Sequence, residues 1–247
     1  MKRPMTTLHS PGLPLQTEGF LDATEFFDID RPEVRRFTAE AVGDAATDKA
    51  RAVRLFYAVR DLIRYDPYRI SFAPIDYRAS SVIAAGYGWC VPKAGLLAAC
   101  ARVVGIPSAV GLADVVNHLN TEKLRERMGG VDVFYDHGYT ALHIDGRWIK
   151  AVPAFNIELC ERFGVKPTDF DGEHDALYQE HDASGRLHMQ YLADHGTWSD
   201  LPLDQVEADF VRHYPKTLID AAGAGKGTPD SFEDDAPLPA AGEASPR

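Results

Sequence analysis

Cys90 is the residue whose type and position best suit nucleophilic chemistry in this sequence. It follows a glycine-rich turn at 86–89 and opens an apolar run that ends at Gly105 and Pro107. Pro92 suits the first turn of a helix, so the pattern predicts that Cys90 lies at a helix N-terminus. The free N–H groups and the helix dipole there favour an anion, which can lower a cysteine pKa from about 8.5 to roughly 4–7. The sequence therefore predicts a thiolate nucleophile.

A buried structural role is the alternative interpretation of Cys90, because most free cysteines are small core residues. We predict that structural role for Cys100, within the apolar run, and for Cys160, in a charged stretch with a helical pattern. Three cysteines at wide spacing do not form a disulfide framework, which favours a reducing compartment.

A thiolate nucleophile needs a base, and His137 is the best placed of the nine histidines. It lies near the start of a predicted strand, between Asp136 and Gly138, where the glycine leaves one side open. His118 is a second histidine that we expect to line the site. Because a lone histidine is more often a hydrogen-bonded polar group than a base, the role of His137 depends on its being close to Cys90.

Four other histidines recur at every seventh position, which would align them on a helix. They are His174, His181, His188 and His195. Ser184-Gly185 breaks any helix there, and no Cys-x-x-Cys or His-x-x-x-His pair accompanies these histidines. We therefore predict no metal site and no cofactor, and keep a metal-binding protein as an alternative.

A central helix must position the thiol. The run that follows Cys90 is apolar on nearly every face, which predicts a helix buried in the middle of the fold. A buried strand is predicted over 108–116. A polar helix over 122–128 then separates two strands, and it is either an inserted flap over the site or a solvated surface connection.

A β-hairpin must position the histidine. Its strands are predicted over 132–144 and 147–152, around an Asp145-Gly146 pair that is typical of a type I′ turn. Pairing outward from this turn sets Ile144 opposite Arg147 and Tyr139 opposite Val152. The strand period of two puts His137 and Tyr139 on one face.

Composition and charge limit the class of protein. The 247 residues carry a net charge of −11, which argues against nucleic acid and anionic membranes as main partners. We find no secretory signal and no apolar stretch of about 20 residues, so we expect a cytoplasmic protein. We predict an N-terminal arm and leading helix over 1–48, a catalytic domain over 49–220, and a disordered tail over 221–247. The sequence carries no signal of oligomeric state.

The order of these parts resembles the transglutaminase-like superfamily over about residues 50–160. The resemblance rests on the helix start at Cys90 followed by Lys93, on His137-Gly138-Tyr139, and on the Asp145-Gly146-Arg147-Trp148 turn. It implies an α+β fold related to papain, with a central buried helix packed on an antiparallel sheet. It also implies a Cys-His-Asp triad in which Cys90 is the nucleophile and His137 the base.

The third triad residue departs from the family pattern. The family places an aspartate directly before a proline on the return strand, whereas this chain has Val152 before Pro153. Valine cannot orient an imidazole, so we predict that Asn156, the nearest suitable polar residue, takes this role. Asp136 and Glu158 are the alternatives.

The resemblance implies acyl transfer on an amide or peptide-like substrate through a thioester. The Cys90 backbone N–H is the expected oxyanion donor, and Tyr65 or Trp89 is a candidate for the second. We expect Trp89, Tyr139 and His118 to contact the substrate. Hydrolysis is favoured over transamidation, because no EF-hand-like loop and no sign of extra β-sandwich domains is present. The alternative function is a non-catalytic binding domain with a decayed triad.

Overall fold

The structure, a computed structural model, describes residues 7–117, 120–178, 189–223 and 231–235. The α-helices of these residues are α1 (Pro32–Val42), α2 (Asp48–Leu62), α3 (Ala79–Ala85), α4 (Cys90–Val103), α5 (Glu122–Arg127), α6 (Ile157–Phe163), α7 (Leu203–His213) and α8 (Lys216–Gly223). The strands are β1 (His9–Ser10), β2 (Arg64–Tyr65), β3 (Tyr87–Gly88), β4 (Ser108–Asn117), β5 (Val133–Ile144), β6 (Arg147–Ala151) and β7 (Met189–Trp198). None of these helices has the length and apolar character needed to cross a membrane.

The main sheet has five strands in the order β1-β7-β4-β5-β6, and every neighbouring pair is antiparallel. The short strands β2 and β3 pair in parallel beside it. Helix α4 packs on the sheet, so the predicted α+β fold with a central helix on an antiparallel sheet is confirmed.

Helix α4 is buried from Cys90 to Arg102, as its apolar sequence predicted. Thr140 on β5 donates a hydrogen bond of 2.8 Å to the carbonyl of Ala94, which ties the helix to the sheet. The two charged residues of the helix are hydrogen-bonded to backbone carbonyls, as buried charges must be. Lys93 donates to the carbonyls of Arg60 and Ile63, and Arg102 to those of Asp22, Ser108 and Ser199. Burial lowers the pKa of Lys93 to about 7.

The predicted hairpin is present, with Ile144 opposite Arg147. Asp145 (φ 48°) and Gly146 (φ 79°) both have the positive φ that a type I′ turn requires. The ladder ends at Thr140 opposite Ala151, one pair before the predicted Tyr139–Val152 pair.

The N-terminal segment belongs to the same body as the rest of the chain. Strand β1 extends the sheet beside β7, and Phe20, Phe27 and Val34 lie in the common hydrophobic core. Strand β1 and these core residues therefore pack on the body, whereas Leu15 between them is fully exposed.

The prediction of a disordered tail from residue 221 is wrong for two parts of the tail. Residues 221–223 complete α8, and residues 231–235 contain a short 3-10 turn (Phe232–Asp235) that packs on the body. Phe232 is buried against Tyr65 and Tyr68, and Glu233 accepts hydrogen bonds from Arg64 and Asn156. Apolar packing and polar contacts therefore hold this segment together.

Candidate active site at the start of helix α4

Cys90 is the first residue of α4, as the sequence predicted, and it is only 4% exposed. Burial raises the pKa of its thiol to about 12, although the backbone N–H groups of Gly138, Val91 and Cys90 itself act in the opposite direction. The negative charge of Asp136 raises this pKa further. The predicted lowering of the thiol pKa is therefore wrong for this conformation, because desolvation outweighs the helix N-terminus.

His137 lies on β5 and is buried. Its ring packs edge-on against Tyr178, with the ring centroids 5.6 Å apart. Within the described part of the chain, neither ring nitrogen has a hydrogen-bond partner. Burial lowers the pKa of His137 to about 4, so the ring is a neutral imidazole near pH 7.

Cys90 and His137 line one cavity of about 180 Å³. Its walls are mainly aromatic and aliphatic, with Tyr65, Trp89, Phe134, Tyr135, Phe210 and Tyr214 among them. Helices α5 and α8 contribute further lining residues, including Leu124 and Leu218. The polar helix over 122–128 thus borders the site, as the flap interpretation predicted. Among the described residues, no hydrogen bond joins the Cys90 thiol to the His137 imidazole, although both side chains line the same cavity.

The residues predicted to contact substrate divide into three groups. Trp89 lines the cavity, and so does Tyr65, the other candidate oxyanion donor. Tyr139 does not line it, since its hydroxyl donates to Asp194 (3.0 Å) and its ring packs over Gly111. The common face predicted for His137 and Tyr139 therefore does not bring both side chains to the cavity. The strand is irregular just before His137, where Asp136 has a positive φ of 56° and the β4–β5 register shifts. His118 lies outside the described residues.

Asn156 is not the partner of His137. Its side-chain oxygen accepts a hydrogen bond of 3.0 Å from the backbone N–H of Tyr65, and its amide nitrogen donates to Glu158 and to Glu233. The Asn156 amide thus connects β2, through Tyr65, to the 231–235 turn, through Glu233. The prediction that Asn156 orients His137 is therefore wrong, and its role is structural. Glu158, one of the alternatives, accepts a hydrogen bond from Asn156.

Asp136, the other alternative, forms a cluster with two residues that the sequence analysis did not connect. One ligand atom from each of Asp114, Asp136 and His195 lies within 4.8 Å of the others. The three residues stand on three neighbouring strands, far apart in the sequence. No local spacing motif marks them, and β7, which carries His195, was not predicted as a strand.

The fold and the site define a class: an α+β domain with a thiol at the tip of a buried helix and a histidine on the adjoining strand, both on one cavity. Residues 35–153 match the family model of the transglutaminase-like superfamily. This stretch contains both Cys90 and His137 and confirms the resemblance predicted from the sequence. The similarity to the transglutaminase-like superfamily thus covers 119 of the 247 residues.

Two solved structures are similar to the chain at low identity. One is described as a putative cysteine protease from Cytophaga hutchinsonii, with 14% identity, a TM-score of 0.43, and coverage of 70% of this chain and 50% of that one. The other is described as a putative protease from Parabacteroides distasonis. It has 18% identity, a TM-score of 0.34, and coverage of 51% of this chain and 25% of that one. The chain thus spans half of the first structure and a quarter of the second. No curated protein matches the chain.

Proposed function

We propose that the protein is a cysteine-dependent acyl-transfer enzyme that acts on an amide or peptide-like substrate, with Cys90 as nucleophile and His137 as base. The observation that supports this most is that both side chains line one cavity, within the segment that matches the transglutaminase-like family. Cys100 and Cys160 do not line this cavity.

In the proposed mechanism, His137 takes the proton of the Cys90 thiol and the sulfur attacks the substrate carbonyl carbon. The oxygen then carries a negative charge, which the N–H of Cys90 at the helix start stabilises. The C–N bond breaks as His137 returns the proton to the leaving amine. Water, activated by the same imidazole, then attacks the thioester and releases the acid, while an amine in its place gives transamidation.

The resting site must change before this chemistry begins. Cys90 and His137 are both neutral and buried, and their polar atoms do not bond to each other. Substrate that enters the cavity between α5 and α8 would bring a carbonyl group to the sulfur. The aromatic walls favour an amide next to an apolar or aromatic group.

Acylation by an activated aryl ester, p-nitrophenyl acetate, tests the proposal without knowledge of the substrate. We expect one acetyl group on Cys90 by mass spectrometry, removed by hydroxylamine as a thioester is. His137→Gln should slow the acylation at least about tenfold, because the base is lost. Cys160→Ala is the matched control and should acylate as the wild type does. Acylation of Cys90 that is no faster than that of Cys160, and unaffected by His137→Gln, would overturn the proposal.

Hydrolysis ahead of transamidation remains a prediction. A casein substrate supplied together with a fluorescent primary amine separates the two outcomes. New peptide termini indicate hydrolysis, whereas incorporation of the amine into the protein indicates transamidation.

A non-catalytic binding domain is the second candidate function. It is favoured by the missing orienting residue, since Val152 stands where the family places an aspartate and the His137 nitrogens have no partner among the described residues. This candidate predicts that the folded wild-type protein forms no acyl adduct at Cys90.

A further inference from the structure

Asp114, Asp136 and His195 lie close together on three neighbouring strands of the main sheet, β4, β5 and β7. The β4–β5 ladder shifts register between Ala113 and Val115, so that Asp114 lies opposite a bulge formed by Tyr135 and Asp136. The β4–β7 ladder skips His195, because Ala113 pairs with Asp194 and Leu112 with Gly196. Bulges re-aim side chains that a regular strand would alternate between two faces. The three ligand atoms consequently lie within 4.8 Å of one another.

The Asp136 carboxylate is the observation that points to a ligand. Asp136 is 1% exposed, and neither of its carboxylate oxygens accepts a hydrogen bond from the described residues. A buried carboxylate without a donor is costly, and proteins normally compensate it with a cation or a hydrogen-bond network. Its own backbone N–H donates to Asp114 (3.2 Å), which holds the second carboxylate beside it.

The spacing of the other two groups suits adjacent ligands of one ion. His195 Nε2 and Asp114 Oδ1 form a pair at 2.9 Å, and a metal ion would take the place of the proton between them. Neighbouring ligands of an octahedral ion with bonds of about 2.1 Å are about 3 Å apart. The side chains of His195 and Asp114 are 32% and 15% exposed, so an ion reaches them from solvent while Asp136 closes the inner side.

We propose that Asp114, Asp136 and His195 bind one divalent first-row transition-metal ion, of the zinc or manganese kind, with water completing its coordination. Two carboxylates and an imidazole form a mixed oxygen and nitrogen set, which suits these ions better than Ca²⁺ or Mg²⁺. The carboxylate of Asp209 on α7 adds negative charge next to Asp136. The site is distinct from the proposed Cys90–His137 pair, although Asp136 directly precedes His137.

A shared proton is the competing account of the same cluster. Protonation of Asp136 would let it donate to the neighbouring Asp209 carboxylate and remove the need for a cation. This account predicts that the folded protein binds no metal ion at the cluster.

Titration calorimetry of the metal-free full chain with Zn²⁺ and with Mn²⁺ tests the proposal, with Ca²⁺ and Mg²⁺ as contrasts. We expect one transition-metal ion to bind per chain. The Kd should be at least about tenfold higher in His195→Gln and in Asp114→Asn than in the wild type. His174→Gln is the matched control, since His174 pairs with Asp171 in an exposed histidine–carboxylate pair elsewhere. Its affinity should equal that of the wild type.

Substitution of Co²⁺ provides a readout that does not depend on affinity alone. Ligation by His195 should give visible absorption bands that change in His195→Gln and persist in His174→Gln. Circular dichroism establishes that each variant is folded. Absence of binding to the folded wild type at millimolar metal, or equal affinity and equal spectra for wild type and His195→Gln, would overturn the proposal.

Discussion

A Cβ atom at Gly138 would lie 2.7 Å from the Cα of Val91 and 3.0 Å from the carbonyl oxygen of Cys90. Strand β5 therefore crosses the first turn of α4 at backbone contact, with no room for a side chain. This crossing brings the residue before the glycine, His137, to the cavity that Cys90 lines.

We expect Gly138→Ala to lower the free energy of unfolding by about 1–3 kcal/mol, because the added methyl group forces two backbones apart. Urea unfolding followed by circular dichroism measures the change. Gly12→Ala is the matched control, since a Cβ there meets nothing within 4 Å. Equal stability of the two variants would contradict the backbone contact.

The buried Lys93 predicts a stability that depends on pH. Its pKa in the folded protein is about 7, below the ordinary value of 10.5, so the unfolded chain binds more protons between these pH values. The stability of the wild type relative to Lys93→Met should therefore rise with pH across this window, by up to about 1.4 kcal/mol per pH unit. Below pH 7 the difference should be constant.

Urea unfolding at several pH values from 6 to about 10 measures this dependence. Lys166→Met is the control, because that side chain is 70% exposed. A pH-independent difference between wild type and Lys93→Met would show that the ammonium is not desolvated.

A substitution of Phe232 tests whether the 231–235 turn packs on the rest of the protein. Its side chain is 3% exposed and packs on Tyr65, Tyr68 and Phe163. Phe232→Ala should lower the free energy of unfolding by about 3 kcal/mol, the usual cost of removing a buried phenylalanine. Leu15→Ala, at a fully exposed position, should change it by less than about 0.5 kcal/mol. Equal, small effects of the two substitutions would restore the prediction of a disordered tail.

A substitution of Asn156 distinguishes a structural role of this residue from a catalytic one. Asn156→Ala leaves the buried N–H of Tyr65 without an acceptor and should cost about 1–3 kcal/mol of stability. In the fraction that stays folded, acylation of Cys90 by p-nitrophenyl acetate should remain within about threefold of the wild-type rate. A loss as large as that of His137→Gln would return Asn156 to the triad.

Helix α4 and the β5–β6 hairpin could be predicted from the sequence because their signals are local. A run of small apolar residues behind Cys90 and the Asp145-Gly146 pair each specify one conformation over a few positions. The position of Cys90 at the helix start follows from the same local signals.

The rest of the site depends on contacts between distant residues. The pKa of Cys90 is set by burial, which a helix N-terminus does not reveal, and Asn156 is held by Tyr65 and Glu233 from distant segments. Strand β7 contains Asp194-His195-Gly196, residues typical of a turn, and it is a strand because β4 pairs with it. The cluster around His195 was therefore not visible in the sequence.

The burial of Cys90 has a consequence for its survival under oxidative stress. Peroxide oxidises the thiolate of an accessible cysteine to a sulfenic acid, and further oxidation is irreversible. The cavity beside Cys90 can admit a molecule as small as peroxide, but the raised pKa keeps the sulfur protonated and so withholds the charge that this reaction needs. We therefore expect the conformation with a protonated thiol to be oxidised more slowly than one in which Cys90 is a thiolate.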